Sequence, residues 1–205
     1  MKLERRFFEL QKLETRADEE GNRTISGYAA VFNSLSQMLW GFRERIAPGA
    51  FAETLGDDIR ALWNHDSNIV LGRTIAGTLR LEEDDHGLRV EIDAPRSAAQ
   101  QVEAIERGDV NQMSFGFRAL DFEWDEDDEG TLIRTLNKAK LYEVSPVTFP
   151  AYTSTSVGVR NDEVYGVIPE IPEEFRRASG SSADADHARA RLDVQRRRLD
   201  LLAMR

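Results

Sequence analysis

Between Gln112 and Trp124 the chain alternates with a period of two, with Met113, Phe115 and Phe117 on one side and Ser114 on the other. Only an extended strand places residues i, i+2 and i+4 on one face, so a sheet must pass through this segment and the rest must build around it. Neighbouring segments agree. Arg23 to Phe32 is rich in strand formers and follows the turn signal Glu20-Gly-Asn22. Ile59, Ala61, Trp63 and His65 are spaced as one strand face. Leu71 to Leu81 and Gly87 to Ala94 read as two antiparallel strands around the acidic turn from Glu82 to Gly87, and Leu132 to Val147 as two further strands that end near Pro146 and Pro150. Asp125 to Gly130 reads as a solvated loop. Two helices are expected. One runs from Pro48 to Leu55, with proline in its first turn and Gly56 beyond its end. The other starts at Ser97, where Ser97 and Gln100 form a capping box, Ala98, Val102 and Ile105 share a face, and Gly108 supplies a stop.

This pattern predicts a mostly-β domain with short helices (α+β) over residues 1–160. Residues 161–187, with two prolines and a Ser-Gly-Ser-Ser run, have the composition of a flexible linker. Residues 188–205 carry Leu192, Leu199 and Leu202 as a helical stripe among arginines, so a basic C-terminal helix is expected. The chain carries a formal charge of −10. Eight Arg and four Asp give the segment 176–205 a net +4, which leaves −14 on residues 1–175. An acidic body argues against binding nucleic acid, since phosphate contacts need clustered positive charge. The absence of cysteine removes disulfides, thiolate metal sites and a cysteine nucleophile together. Neither a signal peptide nor a membrane span is expected, because no apolar run approaches about 20 residues.

Few residues could carry chemistry. His65, in Trp63-Asn-His-Asp66, is one of three histidines and can act as a base near neutral pH, its unperturbed pKa being about 6.5. Taken alone, a histidine at a strand end is more often structural. Ser114 offers a hydroxyl held by packed neighbours, with Gly116 allowing a close approach. Its surroundings are not the G-x-S-x-G elbow of α/β-hydrolases. Glu143 interrupts the apolar run Leu141-Tyr-Glu-Val-Ser-Pro146 and must find a partner if buried. That partner is either His65 or an arginine. Ser145 either caps the turn at Pro146 or lies near the site. His86 reads as a solvated turn residue, and the scattered histidines suggest no metal site and no cofactor.

The strings Ile25-Ser-Gly-Tyr-Ala-Ala-Val-Phe32, Ile46-Ala-Pro-Gly-Ala-Phe51, Leu62-Trp-Asn-His-Asp66, Leu71-Gly-Arg-Thr74, Arg107-Gly-Asp109, Met113-Ser-Phe-Gly-Phe117 and Leu141-Tyr-Glu-Val-Ser-Pro-Val-Thr-Phe-Pro-Ala151 resemble, in order and spacing, the HK97-type prohead protease family. The resemblance implies a fold similar to the herpesvirus capsid-maturation protease, a β-barrel with flanking helices. It also implies a serine endopeptidase, with the family's histidine falling on His65, its serine on Ser114 and its acidic residue on Glu143. The herpesvirus relative has a second histidine as third member; between His65 and the tail this chain has only His86. The implied partners are the major capsid protein with its scaffolding segment and the protease itself, cut inside the assembling prohead in the host bacterial cytoplasm. Self-cleavage is expected in the 161–187 stretch, especially from Arg176 to Ala185. Homo-oligomerisation is left open. The rival reading is a catalytically silent assembly factor on the same fold.

Overall fold

The computed structural model describes residues 3–8, 13–19, 21–39, 41–148 and 169–178. Ten strands dominate, as the alternation predicts. They are β1 (Glu4–Phe8), β2 (Glu14–Ala17), β3 (Arg23–Val31), β4 (Arg43–Ile46), β5 (Arg60–Trp63), β6 (Asp66–Arg73), β7 (Leu79–Glu83), β8 (Gly87–Ala94), β9 (Gln112–Glu126) and β10 (Leu132–Val147). Two short helices, α1 (Ala99–Glu106) and α2 (Glu173–Ala178), complete the described secondary structure with 3₁₀ turns at Thr74–Ala76 and Arg96–Ala98.

The strands form two curled sheets. One runs β2-β3-β8-β7, and the other runs β1-β9-β10-β5-β6 with β4 also paired to β10. The sheets enclose a common core, with Ile25, Leu88 and Ile92 from one and Phe115, Phe117, Ile46, Leu71 and Val144 from the other, all within 1% of full burial. β10 organises the larger sheet. It pairs along its length with β9, while its other edge is shared by two parallel partners, β4 beside Ile133–Leu136 and β5 beside Glu143 and Val144. Between those partners the register slips around Lys138 and Ala139.

The expected helix over Pro48–Leu55 is instead a series of tight turns, and the reason lies in that slip. Gly49 takes φ of 85°, the Phe51 amide donates to Glu83, the Ala139 amide donates to Ala50, and the Thr54 hydroxyl reaches the Ala139 carbonyl. Backbone groups that a helix would pair internally are tied to strands instead. The second helix forms, but Ser97 does not cap it. A 3₁₀ turn precedes α1, whose N-cap is Ala98 with no side-chain bond, while Ala98, Val102 and Ile105 are buried as their spacing predicts.

Three strand expectations are also corrected. Leu71–Leu81 is broken at Thr74–Ala76, and its two parts join different sheets. Leu132–Val147 is one continuous strand that accommodates Pro146. His65 does not lie on a strand face; β5 ends at Trp63. His86 is half-buried rather than solvated, with its ring edge-on to Tyr28 at 4.6 Å. Helix α2 lies within the stretch read as linker, and the expected C-terminal helix and most of the expected self-cleavage segment lie outside the described residues.

Candidate active site

β5 and β6 pair Trp63 with Asp66, so the hairpin turns through only two residues, Asn64 and His65. Both have positive φ, 52° and 61°. A two-residue type I′ turn requires left-handed backbone at both central positions, which Asn tolerates and His rarely adopts. The tip is tied to the end of β10. The Asn64 amide donates to the Pro146 carbonyl at 3.0 Å, the Thr148 amide donates to Asn64 Oδ1 at 2.8 Å, and Asn64 Nδ2 donates to the Thr148 hydroxyl at 3.1 Å. At the hairpin's open end, Arg73 grips Asp58 through two 2.7 Å bonds, with Arg60 adding a third at 3.1 Å. The Arg73 bond lowers the Asp58 carboxyl to about 2.

This anchoring places His65 Nδ1 at 2.6 Å from Glu143 Oε1, with both side chains about nine-tenths buried. Of the two partners open to Glu143, the histidine is the one found. Its other oxygen, Oε2, accepts a 2.6 Å bond from the Ser145 hydroxyl. The ladder between β9 and β10 pairs Glu143 with Gly116 and Ser145 with Ser114. Directly paired residues share a face, so Ser114, Ser145 and Glu143 line one face of the sheet, and His65 reaches the same carboxylate from the hairpin tip. A Cβ at position 116 would lie 2.5 Å from Glu143 Oε1, so glycine there vacates the space that the carboxylate fills.

Ser114 is fully buried, and its hydroxyl donates to the Arg6 carbonyl of β1 at 2.9 Å. β1 runs antiparallel to β9, with Phe7 opposite Ser114. Its inward side chains enter a buried ionic cluster. Arg6 bonds Glu44 at 2.6 Å and Glu4 at 2.8 Å, and Arg134 bonds Glu4 at 2.6 Å and Glu44 at 3.1 Å.

Residues 11–167 match the family model for the caudovirus prohead serine protease. The chain belongs to this family. All three predicted site residues lie within the matched span, and β1 lies before it. Over 90 residues, 43% of the chain, this prohead serine protease family member is 34% identical to the prohead protease of Escherichia phage T5, and it spans 40% of that protein's length. It is also similar to the solved structure of the bacteriophage T4 capsid assembly protease, gp21, with a TM-score of 0.44 and 11% identity over 73% of this chain and 98% of that one.

Beside His65, Ser114 and Glu143, three further groups that the sequence pattern does not single out shape the site. Asn64 holds the hairpin tip, Gly116 makes room for the acid, and the Arg6 carbonyl accepts the hydrogen bond of the Ser114 hydroxyl. From the sequence, Gly116 signals only a close approach. A glycine directly across a ladder from a buried glutamate is a legible signal once the pairing is known, and the pairing is what the sequence lacks.

Proposed function

We propose that this chain is a serine endopeptidase of the prohead, with Ser114 as nucleophile, His65 as general base and Glu143 as the residue that orients the base. The observation that carries the reading is the 2.6 Å contact between His65 Nδ1 and a buried carboxylate on the same sheet face as Ser114. An ionised carboxylate can only accept, so His65 donates through Nδ1 and its basic lone pair is left on Nε2. That tautomer is the one a serine hydrolase needs. Nε2 takes the proton as Ser114 Oγ attacks a peptide carbonyl, then returns it to the leaving amine, while Glu143 stabilises the imidazolium. Attack requires the Ser114 hydroxyl to turn away from the Arg6 carbonyl. Because Ser114 is fully buried, a peptide reaches it only after a rearrangement that exposes the hydroxyl.

The substrates that fit family membership are the major capsid protein, at its scaffolding segment, and the protease itself, cut as the prohead assembles in the host cell. The test is co-expression with the capsid protein, with both proteins read by intact mass. Wild type shortens the capsid protein. Ser114→Ala leaves it whole and remains folded, since it loses one buried hydrogen bond worth about 1 kcal/mol. Equal cutting by both would remove Ser114 from the mechanism, and particles assembling with no cutting by either would favour the silent assembly factor.

A further inference from the structure

We infer that Ser145 is a positioning residue for this reaction, fixing the Glu143 carboxylate so that Oε1 stays in line with the His65 imidazole. The inference rests on the triad reading above and extends it to a fourth side chain. A glutamate side chain has three rotatable bonds, and its carboxylate can present either oxygen at several angles. Here the freedom is removed from three sides. Oε1 accepts from His65 at 2.6 Å and Oε2 accepts from Ser145 at 2.6 Å. Against Gly116, a Cβ would fall 3.1 Å from Glu143 Cγ and 3.2 Å from Cδ, so the peptide at 116 backs the carboxylate closely. Ser145 is fully buried, so its hydroxyl depends on this bond in place of water. Two residues along the strand from Glu143, Ser145 projects on the same face and reaches the carboxylate without distorting β10. Its position directly across the ladder from Ser114 means that one strand pair sets both the acid's support and the nucleophile.

The role is read in two ways on the full chain. In the proton NMR spectrum, the Nδ1 proton shared by His65 and Glu143 gives a downfield imidazole resonance, identified by its loss in His65→Gln. Ser145→Ala moves or broadens this resonance, and Ser145→Thr, which keeps the hydroxyl, restores it. In capsid-protein cleavage, Ser145→Ala lowers kcat about tenfold, equivalent to about 1.4 kcal/mol of transition-state stabilisation, with KM unchanged. Ser145→Cys, of similar size but a weak donor, gives an intermediate loss and covers the case in which the alanine variant does not fold. Because the resonance is read without substrate, the positioning role is decided even in a preparation that cuts nothing, so its failure is separable from failure of the triad reading. An unmoved resonance in Ser145→Ala overturns the inference. So does a loss of cleavage as complete as that of Ser114→Ala with the resonance in place, which would make Ser145 a reacting group.

Discussion

At His65 the backbone sits at φ of 61°, beside Asn64 at 52°. Left-handed backbone costs about 1–2 kcal/mol per residue for side chains with a Cβ, and glycine would be the unstrained choice at the second of these positions. The strain persists because Asn64 is bonded to Pro146 and Thr148 and because Glu143 holds the imidazole. The same carboxylate leads to a prediction at its other neighbour. Gly116→Ala places a methyl 2.5 Å from Glu143 Oε1, and the carboxylate must move. Overpacking of this kind costs about 1–3 kcal/mol. The variant is expected to unfold at lower temperature and, when still folded, to lose most cleavage; a calorimetric scan and the capsid-protein assay check both. In the sequence Ser114 stands out as a hydroxyl between Met113 and Phe115, His65 as a histidine at a strand end and Glu143 as a charge in an apolar run, but only the family resemblance joins the three into one candidate site. The Ser114 bond to Arg6 was not legible. It is made by a main-chain carbonyl, which every residue has.

Among the elements, β1 is held by an unusual device for a strand at the edge of a sheet. Glu4, Arg6, Glu44 and Arg134 form a closed, buried set of two positive and two negative charges, so no net charge is stranded in the core. Removing one member leaves its partners uncompensated, which typically costs about 3–5 kcal/mol. Glu44→Ala, which leaves two buried arginines sharing Glu4 alone, is therefore expected to lower the denaturation midpoint sharply. It should also speed hydrogen exchange at the β1 amides paired with β9 more than at those of β8. Equal protection in β1 and β8 would show that the cluster is not what seats β1. The strands themselves were largely readable, since alternation reports a face directly. Two things were not. The segment from Pro48 to Leu55 has helix-like punctuation, yet its backbone is claimed by Glu83 and Ala139, residues remote in sequence. The run from Leu71 to Leu81 looks continuous, yet it passes from one sheet to the other through Thr74–Ala76.

Across the whole molecule, several carboxyls are held below their ordinary values. Asp58 is lowered to about 2 by its bond to Arg73, Asp93 is lowered by Arg80, and Asp84 is lowered by the Tyr28 hydroxyl. In an unfolded chain an Asp titrates near about 3.9. A depressed folded value means that the stabilisation is complete above that pH and is lost as the pH falls from about 4 toward 2. Thermal stability attributable to these groups is thus expected to be level from neutrality down to about pH 5 and to fall below about pH 4. Asp58→Asn should flatten the lowest part of that fall, which a series of melting curves would reveal. Burial raises Glu83 instead, and that group works in the opposite direction. The position of β1 has a consequence in time. Its Arg6 carbonyl meets a serine 108 residues further along, and its Glu4 meets an arginine 130 residues further along. Such distant pairings form late and slowly, because a long stretch of chain must be ordered before they gain anything. A ribosome releasing this polypeptide therefore exposes β1 well before β9 and Arg134 exist to receive it. The strand that takes the hydrogen bond of Ser114 is made early and seated late: it finds its ladder only once β9 is complete at Glu126, and its full set of charges only once Arg134 has followed.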